Sequence, residues 1–180
     1  MENGQELWVF GYGSLVWNPG IDVAERRKAT VTGYRRSFCM WSIHHRGSEE
    51  DPGLVLALEP SPGATCEGVA MRAADPVAAL QELRERELIS SAYVEREVEL
   101  TCERGERFRS LAYVINTDHV QYCPDLTLDR QAEIIAAAHG GRGPNHEYLT
   151  ATAAALHGLG IGDPDLDALV AKVQQIRGDR

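Results

Sequence analysis

The run Leu7-Trp8-Val9-Phe10 is wholly apolar, rich in aromatic and β-branched types, and stops at Gly11. That pattern predicts a short buried strand. Further strands are expected at Thr30 to Gly33, Ser37 to Ile43, Leu54 to Leu58, Gly68 to Met71, Val94 to Leu100 and Leu111 to Ile115, most of them bounded by Gly, Pro or charge clusters. One helix interrupts them: Asp75 fits an N-cap, Pro76 the first helical position, and Val77 to about Leu88 carries good helix formers. Three more helices are expected over Leu128 to His139, Asn145 to about His157 and Leu166 to Ile176. The breakers between them are Gly140-Gly141-Arg142-Gly143-Pro144 and Gly158 to Pro164. Strands first and helices later predict an α+β fold.

The first of these helices contains Glu82-Leu83-Arg84-Glu85-Arg86-Glu87-Leu88, which looks like a solvated charge run. Helical phase separates its members. At about 100° per residue from Val77, Leu80 falls near 300°, Leu83 near 240° and Glu87 near 280°. Glu85 comes near 80° and Glu82 near 140°, turned away from that apolar side as ordinary solvent carboxylates. A carboxylate on the core side of a helix is costly unless it is paired or lines a polar cavity, and desolvation raises the pKa of such a group. Glu87 is therefore a candidate base; the alternative is a structural ion pair with Arg35, Arg36 or Arg46.

Composition narrows the class without identifying it. The 180 residues suit one domain over 1–180, with residues 1–6 expected to be a flexible N-terminus. Apolar residues at 43% and charged residues at 25% match a soluble globular protein, and no apolar run is long enough for a membrane helix. A formal charge of −9 disfavours a nucleic-acid surface, and Arg26-Arg27-Lys28 and Arg35-Arg36 are short, isolated groups read as solvated strand flanks. Cys39, Cys66, Cys102 and Cys123 have no zinc or redox spacing and are read as reduced, mostly buried thiols. With no positive, apolar leader at the N-terminus, the expected compartment is the cytoplasm.

Gly11-Tyr12-Gly13-Ser14 follows the first strand, so two glycines and a serine can turn backbone N–H groups toward a carboxylate or an oxyanion. The alternative is a plain tight turn. The loop is no dinucleotide fingerprint, because Val16 stands where the third glycine belongs, and it lacks the Gly-Lys of a P-loop. His146-Glu147 begins like a zinc-protease helix, but Thr150 occupies the second histidine's place, so no metal is expected. His44-His45-Arg46-Gly47 adds two imidazoles and a guanidinium near a turn, apt for an anionic ligand or simply structural.

Taken together, these segments resemble the ChaC-like family of glutathione-specific γ-glutamylcyclotransferases. The opening block Trp8-Val9-Phe10-Gly11-Tyr12-Gly13-Ser14-Leu15-Val16-Trp17 is similar to the family's signature. Gly33-Tyr34-Arg35-Arg36-Ser37-Phe38, Ser42 with His45-Arg46-Gly47 and Pro52-Gly53, Arg86-Glu87 ahead of Tyr93, and Asn145-His146-Glu147-Tyr148-Leu149 follow in the family's order. Leu15 favours this branch over relatives that act on other γ-glutamyl compounds. One departure stands out: Ser90-Ser91-Ala92 fills a turn where many relatives have glycine.

The resemblance implies a γ-glutamylcyclotransferase-like small mixed β-barrel with flanking α-helices. It also implies a cofactor-independent lyase that degrades glutathione to 5-oxoproline and Cys-Gly, with Glu87 as general base and acid. Val9, Phe10, Gly11, Tyr12, Gly13, Ser14 and Leu15 would hold the substrate, joined by Arg46 and Tyr148. No metal, nucleic acid or membrane partner is implied, and the protein would work as a monomer or homodimer. Two alternatives stay open: cyclisation of other γ-glutamyl amino acids or amines, and a non-catalytic γ-glutamyl-binding or cation-transport regulatory protein.

Overall fold

The computed structural model describes residues 6–178, so most of the expected flexible segment 1–6 lies outside the described residues. Five strands form a closed barrel: β1 (Trp8–Gly11), β2 (Val23–Ser42), β3 (Gly53–Ala73), β4 (Tyr93–Cys102) and β5 (Arg107–Ile115). Their order around it is β1-β3-β2-β4-β5, with β3 also paired to β5. The fold is α+β, as the sequence predicts. The helices are α1 (Ser14–Trp17), α2 (Pro76–Glu87), α3 (Leu128–Ala137), α4 (Asn145–Gly158) and α5 (Pro164–Arg177). Two-residue strands β6 (His139–Gly140) and β7 (Gly143–Pro144) form a small hairpin at the glycine-rich breaker before α4.

Several expected strands prove to be halves of longer ones. Thr30 to Gly33 and all but the last residue of Ser37 to Ile43 belong to the 20-residue β2, which ends at Ser42, and Leu54 to Leu58 and Gly68 to Met71 to the 21-residue β3. Gly33 and Gly63 look like breaks, but both stay inside strands at φ +86 and +83. A glycine at positive φ lets a strand bend without ending, as closure of a small barrel requires.

The chain divides into two compact units. The first holds residues up to Arg36 and Ala57–His119, the second Ser37–Leu56 and the chain from Val120 onward. In the first unit, β1 pairs antiparallel with β3 from Trp8↔Arg72 to Gly11↔Val69 and touches β5 in parallel at Val9↔Leu111. Phe10, Tyr12, Val31, Leu58, Leu100, Ala112 and Val114 share its core. Helix α2 begins as expected, with Asp75 Oδ1 accepting from the N–H groups of Val77 and Ala78 and Pro76 at the first turn.

In the second unit, helices α3, α4 and α5 bury Ile135, Leu149, Leu156 and Leu169. Asn145 is fully buried, and its amide takes over the hydrogen bonds of a strand backbone. Leu54 N–H donates to Asn145 Oδ1 at 2.7 Å, and Asn145 Nδ2 donates to Leu54 O at 2.8 Å. The side chain thus ties the start of α4 to β3. All four cysteines are free thiols and buried.

Asn145→Ala should cost about 2 to 6 kcal/mol, because two buried backbone groups lose their partners at roughly 1 to 3 kcal/mol each. Urea unfolding checks this: the midpoint should fall with the slope unchanged.

Candidate active site

The site begins where β1 ends. Tyr12, Leu15 and Val16 are buried, as are Gly11 and Gly13, and Ser14 is only partly exposed. The Tyr12 hydroxyl donates to Tyr113 O at 2.7 Å. Arg36 Nε donates to Tyr12 O at 2.5 Å, and the same guanidinium reaches Glu67 O. Arg35 pairs with Glu59, which is 4% exposed. Arg35 stays exposed, as expected of a solvated position, but both arginines lie inside β2 and fasten it to carboxylate and backbone acceptors elsewhere in the barrel.

Ser14–Trp17 is a single helical turn, too short for the sequence period to reveal. Its bonds run from Val16 N–H to Gly13 O at 3.0 Å and from Asn18 N–H to Ser14 O at 2.8 Å. The N–H groups of Ser14 and Leu15 precede the first of these bonds, as at any helix start. The side chains of Val9 and Phe10 are fully buried in the core, so whatever those two positions offer a ligand comes from their backbone.

Glu87 closes α2 on the inner side of the helix. Ala79 and Leu83 are buried, whereas Glu82 and Glu85 are exposed and Val77 is 75% exposed. The Glu87 side chain is 14% exposed, so helical phase picked out the most enclosed of the three carboxylates. It is ion-paired with its neighbour: Arg86 Nε lies 3.1 Å from Glu87 Oε1. The same guanidinium donates to Ser14 Oγ at 3.2 Å and to Asn18 O at 2.7 Å. The loop and the carboxylate are thus joined through one side chain.

The β4–β5 register sets Glu95 opposite Tyr113. The Tyr113 hydroxyl donates to Glu95 Oε2 at 3.4 Å, and Arg84 grips both Glu95 oxygens at 2.9 and 2.7 Å. That fork, opposed in part by burial, holds the Glu95 carboxyl below its usual range. Burial, then the charges of Glu95 and Glu87, push the Tyr113 phenol well above its ordinary range. Tyr113 is therefore a neutral O–H donor beside two carboxylates. Sequence reasoning missed Arg86 and Tyr113 as site residues; the Arg86-Glu87 pair of the family pattern was the available signal for Arg86.

The turn after α2 carries the departure from glycine. Ser91 has φ +58, a left-handed conformation costing an L residue about 1 to 2 kcal/mol. Asn116 braces the turn, Nδ2 donating to Ser91 O at 3.1 Å and its N–H donating to Ala92 O at 2.8 Å.

Arg46 and Tyr148 belong to the second unit. Arg46 Nη1 donates to Pro144 O at 3.2 Å, its N–H donates to Ser42 Oγ at 3.0 Å, and its guanidinium lies 5.7 Å from the centre of the Tyr148 ring. Leu56 N–H donates to the Tyr148 hydroxyl at 3.2 Å. Burial lowers the pKa of Arg46, opposed by Tyr148 and Glu147. Both residues have structural partners there. Among the described residues, no cluster of three or more metal-ligating side chains occurs.

A closed five-stranded barrel with flanking helices is a fold this chain shares with a solved γ-glutamylcyclotransferase. The structure is similar to the crystal structure of a glutathione-specific γ-glutamyl cyclotransferase from yeast, with a TM-score of 0.85 and 27% identity over 96% of this chain and 100% of that one. The chain belongs to the ChaC-like protein family, whose model matches residues 7–176. It is 33% identical to the glutathione-specific γ-glutamylcyclotransferase of Escherichia coli, over 94% of this chain and 74% of that protein. It is 32% identical to the enzyme of the same name from Schizosaccharomyces pombe, over 89% and 87%.

The Arg84–Glu95 pair makes stability depend on acid. A carboxyl lowered on folding contributes stability that is present above its unfolded pKa, about 4.3, and lost as pH falls through its lower folded value. Arg84→Met should therefore be less stable than the parent by about 0.5 to 1 kcal/mol at pH 7 and converge with it below that range. Thermal unfolding from pH 7 down to acid checks the convergence.

Proposed function

We propose that this protein is an enzyme that cleaves glutathione to 5-oxoproline and Cys-Gly, without a cofactor, with Glu87 as the group that moves the proton. The observation that carries this reading is the Glu87 carboxylate, half-buried and joined through Arg86 to Ser14 and Asn18 of the loop. The printed activities of the bacterial and yeast relatives support the substrate. That a single family model spans residues 7–176 supports reading the chain as one functional domain. Four buried thiols suit a reducing compartment and so favour the cytoplasm. No helix among the described residues is long and apolar enough to cross a membrane.

The chemistry needs only what the first unit holds. The α-amine of the γ-glutamyl group attacks its own γ-carbonyl, and near pH 7 that amine, with a pKa of about 8, is mostly protonated. Glu87 accepts its proton, the new N–C bond closes the five-membered ring, and the C–N bond to Cys-Gly breaks. The proton on Glu87 then passes to the departing amine, and the second proton that the ring nitrogen sheds on becoming an amide follows it, so Cys-Gly leaves as an ammonium. No water is consumed. Such proton transfer contributes about 100-fold to 10,000-fold.

Because nucleophile and electrophile share one molecule, the remaining task is to hold the glutamyl chain folded in a near-attack geometry. Backbone N–H groups at Gly13 to Leu15 can hold its α-carboxylate or the oxyanion, each lost donor costing roughly 3 to 4 kcal/mol. Tyr113, neutral and buried, keeps a hydroxyl beside the carboxylates. The proposed reaction assigns Arg46 and Tyr148 no step.

Incubation of the purified protein with glutathione should release equal amounts of 5-oxoproline and Cys-Gly, followed by mass spectrometry. γ-Glutamyl-alanine and a γ-glutamyl amine should turn over at least ten times more slowly. Release of glutamate in place of 5-oxoproline, or no product at all, would contradict the reading. Equal rates on all three compounds would leave a broader γ-glutamyl cyclase.

A further inference from the structure

Arg86 does more than neutralise its neighbour. Residues i and i+1 of a helix point about 100° apart and do not face each other, so an Arg86–Glu87 contact requires the guanidinium to wrap around the end of α2. The three contacts show what draws it there: Nε lies 3.1 Å from Glu87 Oε1, Nη1 donates to Asn18 O at 2.7 Å, and Nη2 donates to Ser14 Oγ at 3.2 Å. The Arg86 side chain is only 21% exposed. Gly20 makes room for it: a Cβ there would lie 3.0 Å from Arg86 Nη1, and its φ of +66 favours glycine in any case.

The groups around Glu87 explain why such a cation is needed. Helix α2 ends at Glu87, and a helix C-terminus disfavours a carboxylate. From β4, Glu95 adds a second negative charge, but Arg84 of α2 already holds it at 2.9 and 2.7 Å. From β5, Tyr113 contributes a neutral hydroxyl. From the loop comes the Ser14 hydroxyl, itself accepting from Arg86. A compensating charge in direct contact with Glu87 is the guanidinium of Arg86.

We propose that Arg86 is a positioning residue: its three-way clamp sets the loop at Ser14 and Asn18 against Glu87 and keeps that carboxylate in the ionised form able to accept a proton. This rests on Glu87 being the base. Three acceptors lying in different directions need a planar fork, so a lysine supplies the charge but not the geometry.

The test measures 5-oxoproline formation from glutathione between pH 5 and 9 for the parent, Arg86→Met, Arg86→Lys and Glu87→Gln, each corrected for its folded fraction. Loss of an opposite charge about 3 Å away should move the acidic limb of kcat/KM upward by about one pH unit in Arg86→Met. At pH 7 its kcat should drop about tenfold or more. Added guanidinium at non-denaturing concentration should restore part of it. Arg86→Lys keeps the charge and should fold if Arg86→Met does not; its acidic limb should stay near the parent's while kcat falls and KM rises. An Arg86→Lys enzyme with parental kcat and KM, or an Arg86→Met enzyme with an unshifted limb, overturns the proposal. Glu87→Gln separates the two claims. If it is inactive while the Arg86 variants behave like the parent, only the clamp is wrong; if it is active, the base assignment itself is wrong.

Discussion

Strand β1 has four residues, yet the barrel closes through it: it pairs along its length with β3 and meets β5 at Val9↔Leu111. So short a strand holds its place by burial, with Val9 and Phe10 fully enclosed. Closure also demands a close approach. A Cβ on Gly68 would fall 2.4 Å from Gly11 O and 2.8 Å from the Phe10 ring, so only glycine lets β3 lie against the end of β1. The chain leaves the barrel at that point, and Arg36 holds the exit by its bond to Tyr12 O. The loop that meets the substrate in the proposed reaction is therefore set by the barrel at one end and by Arg86 at the other.

The same architecture separates two carboxylates that lie near one phenol. Glu95 sits in the fork of Arg84 with Tyr113 donating to it, and is committed to structure. Glu87 sits at a helix end beside the loop, ion-paired to a guanidinium that also serves that loop. Environment, and not residue type, divides their roles, as it does wherever two acidic groups share a site. Both arginines come from α2, so the placement of that helix decides both states at once.

What could be read in the sequence follows from how local its cause is. The Asp75 cap, the Pro76 start and the inner phase of Glu87 depend on neighbours within a few turns, and all three match the structure. The long strands did not show, because Gly33 and the charges of Arg35-Arg36 look like an ending when the barrel is unseen. Within it, those arginines find Glu59, Tyr12 O and Glu67 O across the chain. Four residues of α1 are too few for periodicity to register. Tyr113 owes its place to the β4–β5 register, and Arg86 to a wrap around a helix end that phase alone points elsewhere. The ordered family blocks include the loop, Glu87 and its neighbour Arg86, but gave the guanidinium no role.

The most direct test of the account is single-turnover conversion of glutathione by Glu87→Gln, with folding confirmed by its melting temperature and far-ultraviolet circular dichroism. A neutral amide of the same shape keeps the loop and the barrel but cannot accept the amine's proton. The account predicts a chemical step slowed by roughly 100-fold or more, with glutathione still bound. A variant that forms 5-oxoproline at the parental rate would contradict it.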